Sequence, residues 1–110
     1  MPIFHIVQFG FKPDASAEKI DDICRRMLAL KDNCIHPTAQ KPYIKSAIGG
    51  RDTSPEGHQG GVTHVFVSEF ENEEDRQYYL DKDPAHIEFK NAVKDLVQTV
   101  RVVDFEPGKF

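Results

Sequence analysis

Ile3-Phe4-His5-Ile6-Val7-Gln8-Phe9-Gly10-Phe11 is the stretch that decides the fold. At period two, one face reads Ile3, His5, Val7, Phe9, Phe11 and the other reads Phe4, Ile6, Gln8, Gly10. Both faces are mostly apolar, which predicts a strand covered on both sides. Val62 to Glu71 repeats the pattern, with Val62, His64, Phe66, Ser68 and Phe70 on one face and Thr63, Val65, Val67 and Glu69 on the other. Tyr43 to Ile48 reads as a weaker strand stopped by Gly49-Gly50, and Thr99 to Phe105 as a last strand ended by Pro107-Gly108.

Helices fill the gaps between these strands. Ile20, Ile23, Cys24, Met27, Leu28 and Leu30 recur at helical spacing behind a cap at Asp14-Ala15-Ser16, predicting a helix from about Ala17 to Asn33. Asn72 followed by Glu73-Glu74-Asp75 opens a short helix to Leu80. Asp83-Pro84 sets a capping acid before a proline at the first helical position, starting another helix that runs to about Val97. Its buried side is expected to be Ile87, Phe89, Val93, Leu96 and Val97. The order β-α-β-β-α-α-β gives a split β-α-β unit of the α+β class, a four-stranded antiparallel sheet with helices on one face. An opposite face carrying Phe4, Ile6, Val65 and Val67 is too apolar for water, and the simplest cover is a second copy in a two-fold dimer.

Composition narrows the function classes. With 110 residues, 39% apolar and 29% charged, residues 1–110 form one ordinary globular domain. A formal charge of −4 provides no footprint for nucleic acid or an anionic membrane, and no apolar run is long enough to span a bilayer. The start lacks the basic flank and long apolar core of a secretory signal, so a reduced, cytoplasmic protein is expected. Cys24 and Cys34 have no zinc-motif spacing, and no metal or cofactor is expected.

Chemistry concentrates in the histidines. His5 and His64 lie on the strand faces turned toward the helices, and His86 sits in the first turn of the Pro84 helix. With Tyr79 they predict a mostly apolar pocket holding a few convergent polar groups. Neutral imidazole gives and takes a proton near pH 7, which suits acid–base work or polar recognition. A purely structural role fits His5 and His64 as well, as hydrogen-bonded neighbours across paired strands. His58, in the polar glycine-rich loop from Arg51 to Gly61, is expected to be exposed.

These residues resemble the stress-responsive A/B barrel domain family across nearly the whole chain. The resemblance rests on His5-Ile6-Val7 with Phe11-Lys12, on Gly61-Val62-Thr63-His64 with Phe70-Glu71, on Tyr79-Leu80 before Asp83-Pro84-Ala85-His86 and Phe89, and on Val103-Asp104-Phe105. It implies ferredoxin-like protomers that pair through their sheets into a dimeric α+β barrel. It also implies a small-molecule pocket walled by Val7, Phe9, Phe66, Ile23 and Met27, with His5 and His64 as ligand contacts and no cofactor. The resemblance puts a stress-associated or ligand-binding role first. One family member is a polyketide cyclase, and its resemblance implies a cyclase or lyase with His86 as general acid/base and Tyr79 as its partner. Here one more residue separates Tyr79 from His86, and Met27 stands where a tyrosine is expected. A cofactor-independent monooxygenase is the third expectation.

Overall fold

The computed structural model describes residues 1–110 throughout. Strand β1 (Ile3–Phe11) lies inside the sheet and pairs antiparallel with both β3 (His64–Phe70) and β4 (Val97–Phe105). The edge strand β2 (Ser46–Arg51) pairs with β3, so the spatial order is β2-β3-β1-β4. Helices α1 (Ala17–Asn33), α2 (Glu73–Asp81) and α3 (Pro84–Val93) complete a ferredoxin-like α+β fold. A strand apolar on both faces belongs in the interior of a sheet, and β1 occupies that place.

Register sorts the residues into two faces. Toward the helices, His5 stands between Ser68 and Asp104, Val7 between Phe66 and Val102, and Phe9 between His64 and Val100. Val7, Phe9, Phe66 and Phe70 pack there against Ile23, Met27 and Leu30 of α1 and Phe89 and Val93 of α3. Away from the helices, Ile48, Val67, Ile6 and Val103 form one unbroken apolar row across all four strands. Phe4 and Phe105 stack beside that row at 5.3 Å between centroids. No helix covers this side, and Ile48, Val103 and Phe105 are exposed.

Caps and glycines set the element ends. The Ser16 hydroxyl accepts the Lys19 amide at 3.2 Å, and the Asn72 side chain accepts that of Asp75 at 2.9 Å. β2 differs from expectation, since it begins at Ser46 and runs through both glycines. Gly49 pairs with Phe66, and a Cβ there would run into the Phe66 ring; the glycine makes room for the aromatic instead of ending the strand. Tyr43 and Ile44 leave the ladder because their side chains enter the core. α3 stops at Val93, earlier than the pattern predicted, because the Leu96 carbonyl accepts the Lys12 amide at 2.9 Å and Val97 already pairs with Phe11. Ile87 correspondingly turns out to solvent, and His86 takes a buried position. No helix is long and apolar enough to cross a membrane.

Gly10 carries the tightest backbone approach, because a Cβ there would overlap the Gly61 carbonyl oxygen. Gly10→Ala should therefore lower stability by about 1–3 kcal/mol, as overpacking does. Urea unfolding at equilibrium measures it; a variant as stable as the parent would show that this crossing is loose.

Candidate active site

The site is built on a joint between two helices. The last carbonyls of an α-helix have no intrahelical partner. At the end of α2, the Tyr78 carbonyl takes the Lys82 and Asp83 amides, at 2.9 and 3.0 Å. The next two carbonyls are met by side chains from α3: His86 Nδ1–H donates to the Tyr79 oxygen at 2.7 Å, and Lys90 Nζ donates to the Leu80 oxygen at 3.0 Å. His86 and Lys90 are four residues apart and share a helix face. Asp83, almost fully buried, fixes where α3 begins. One carboxylate oxygen accepts the Ala85 amide at 2.9 Å, and the other accepts the Tyr43 hydroxyl at 2.6 Å.

This bonding fixes the histidine tautomer. A carbonyl only accepts, so Nδ1 carries the proton and Nε2 is left as an acceptor. The imidazole stacks on the Tyr79 ring at 3.8 Å and 15°. Burial pushes the His86 pKa down to about 4, and the charges of Lys90 and His5 push the same way. The Tyr79 carbonyl and Asp83 oppose the shift without reversing it. His86 is neutral at physiological pH. The cause is chiefly desolvation.

His5 is held from the other side. Its Nδ1 bonds the Asp104 carboxylate at 2.7 Å, and the second carboxylate oxygen accepts Arg76 Nη1 at 3.2 Å. Its ring meets Tyr79 edge-on at 5.8 Å. His5 and His86 both line a cavity of about 420 Å³, together with Val7, Phe9, Met27 and Phe89. Lys90, Lys94, Val100 and Val102 complete part of its wall.

Tyr79 lies behind this cavity. It is wholly buried, its hydroxyl has no hydrogen-bond partner, and burial with nearby Cys34 and Asp83 drives its pKa far above the usual phenol range. Its backbone oxygen and its ring act on His86, while its hydroxyl does not reach the cavity wall.

The three histidines do not converge. His64 pairs with Phe9, four residues along β1 from His5, which separates them by about 13 Å at the usual rise per residue. Its Nδ1 is 2.8 Å from the Thr63 hydroxyl and its ring meets Phe11 edge-on at 5.1 Å. Burial, helped by Arg51, lowers its pKa. It lines a different, open groove of about 610 Å³ with Phe66, Arg51 and Cys24. Phe9 from the cavity and Phe66 from the groove pack ring to ring at 6.0 Å, a wall between the two. Ile23 is buried in the core and lines neither space, whereas Met27 is at the cavity. Asp104, Arg76, Asp83 and Lys90 were not singled out by the sequence as site residues. Alternation along the last strand puts Asp104 on the same face as Val100 and Val102, but its pairing with His5 follows only from the β1–β4 register. No group of three His, Cys, Asp or Glu side chains is arranged to hold a metal ion.

A family model described as the stress responsive A/B barrel domain matches residues 3–107. The chain belongs to the stress-responsive A/B barrel domain family. Within it, the chain is 33% identical over 106 residues to the stress-response A/B barrel domain-containing protein HS1 of Arabidopsis thaliana, covering 96% of this chain and 90% of that protein. It is 24% identical over 109 residues to olivetolic acid cyclase of Cannabis sativa, covering 99% and 100%. Among solved structures it superimposes on a hydroxynitrile lyase from Passiflora edulis with a TM-score of 0.81, at 23% identity and coverage of 99% and 96%. A dimeric ferredoxin-like protein from Thermobifida fusca gives a TM-score of 0.74, at 19% identity and coverage of 96% and 90%. These last two likenesses show the shared fold.

The depressed pKa of His86 makes a pH prediction. An unfolded histidine takes its proton near 6.5 and folded His86 only near 4, so between those values the unfolded chain holds more protons. The contribution is fully present above 6.5 and is lost as pH falls toward 4. His86→Asn keeps a donor for the Tyr79 carbonyl and removes the titration. Across that window the parent should lose roughly 2–3 kcal/mol more than the variant in urea unfolding. Parallel losses in the two proteins would contradict the shift.

Proposed function

We propose that this chain is a homodimeric small-molecule-binding protein of the stress-responsive A/B barrel family, with one histidine-based cavity in each protomer. The observation that carries the reading is the neutral His86, whose Nδ1–H is taken by Tyr79 and whose Nε2 remains free to accept on a residue lining an apolar cavity. Such a site favours a compact apolar molecule bearing a hydroxyl. The dimer reading rests on the apolar row through Ile6 and Val67, flanked by Phe4 and Val65, and on the dimeric state named for structural neighbours.

A second reading has its own support. An imidazole that is unprotonated at neutral pH and set in an apolar cavity can take a proton from a carbon or oxygen acid, as a cofactor-independent lyase or cyclase requires. His86 would be the acid/base, with Tyr79 holding its orientation through the backbone carbonyl and the stacked ring. A pKa near 4 makes it a weak base, which is why binding stands first.

4-Pentylphenol, an apolar body with one hydroxyl donor, is the probe. Titrated into labelled protein, it should shift the amides of His5, Val7, His86 and Phe89, and His86→Phe should weaken it roughly tenfold. Shifts confined to the His64 groove, or an unchanged affinity in the variant, would reject the site. Cyanide release from an aromatic cyanohydrin, lost in His86→Phe, would promote the catalytic reading.

Ile6→Asp places a charge at the centre of the outer row. Sedimentation should find the parent as a dimer and this variant as a folded monomer. A monomeric parent would remove the dimer from the account.

A further inference from the structure

Two lysines open onto the same cavity. Lys90 and Lys94 lie one turn apart on α3, and both contribute to the wall that holds His5 and His86. No Asp or Glu lines that space. The nearby carboxylate, Asp104, is already shared by His5 and Arg76. Neither lysine forms an ion pair within the chain. Lys90 spends one hydrogen on the Leu80 carbonyl, which leaves two N–H groups unassigned.

The opposite wall has the reverse character. Val100 and Val102, on the helix-facing side of β4, are 51% and 50% exposed because α3 does not reach over them. Positive charge near a helix C-terminus offsets the helix dipole, and that accounts for lysines at this end of α3. It does not account for both of them bordering an apolar cavity on a chain whose net charge is −4. Unneutralised cations beside half-exposed valines match a ligand that is apolar along its length and anionic at one end.

We infer that the cavity selects an amphiphilic organic anion, a hydroxylated apolar acid whose body lies along Val7, Phe89, Val93 and Val102 and whose carboxylate meets Lys94, two turns along α3 from His86, with Lys90 adding positive charge on the same helix face. The hydroxyl end meets His86 Nε2, as in the ligand-binding reading on which this inference rests. Lys90 has a second effect at the same site, because its charge helps keep the His86 imidazole neutral and therefore an acceptor.

Three ligands with one body test it: 5-(4-hydroxyphenyl)pentanoate, uncharged 4-pentylphenol, and 5-(4-hydroxyphenyl)pentan-1-amine. Calorimetry or amide-shift titration at low ionic strength should rank them carboxylate, neutral, amine. The carboxylate should bind roughly two- to fivefold more tightly than the phenol, the range for an ion pair at an exposed lysine. Lys94→Gln should bring that ratio close to one, and so should high salt. If 4-pentylphenol binds at His86 but the carboxylate does no better, the anion selection is wrong and the binding reading stands. If the carboxylate is preferred but Lys94→Gln leaves the ratio unchanged while His86→Phe removes it, the anion sits at the imidazoles and the lysine assignment is overturned. If none of the three binds, the cavity reading falls and takes this inference with it.

Discussion

The site depends on how the end of α2 is completed. A helix that ends inside a protein must satisfy its last carbonyls, and here two of them are met by His86 and Lys90, one turn apart on α3. One arrangement thereby does three things. It ties α2 to α3, it fixes the proton of His86 on Nδ1, and it anchors Lys90 at the cavity. Asp83 makes this possible, because its buried carboxylate starts α3 at the residue that brings His86 level with Tyr79. The Tyr43 hydroxyl secures that carboxylate from the long connection between α1 and β2.

The sheet imposes the second constraint. β1 is apolar on both sides, and only one side is covered within the chain. The covered side is filled at its middle, where Phe9, Phe66 and Phe70 pack against α1, and it opens into the His64 groove at the outer end of β2 and β3. Toward β4 the filling stops, because Val100 and Val102 are small and α3 is short. The cavity lies at that end, and the aromatic wall of Phe9 and Phe66 keeps His64 out of it. Within one fold, side-chain size thus decides which histidines share a space.

The sequence made the architecture legible because alternation and capping are local signals. The two faces of β1, the Ser16 and Asn72 caps and the Asp83-Pro84 start all operate within a few residues. Period two also gave the correct face for His5 and His64. It could not give their positions along the strands, which follow from the β1–β3 register and put His64 opposite Phe9. Asp104 was hidden for the same reason: it becomes a partner of His5 only when β4 is placed beside β1. Gly49 reads as a stop by composition and becomes a strand residue through the ring of Phe66. Tyr79 was legible as a neighbour of His86, but the atom that matters is a backbone oxygen, which no residue type announces.

The central claim is that His86 is a neutral imidazole with its proton committed to a helix-end carbonyl and its other nitrogen open. Nitrogen-15 NMR of the histidine side chains at neutral pH reads this directly. The account predicts a single tautomer for His86, with Nδ1 protonated and protected from exchange and Nε2 bare. A His86 that is doubly protonated, or that carries its proton on Nε2, would contradict it.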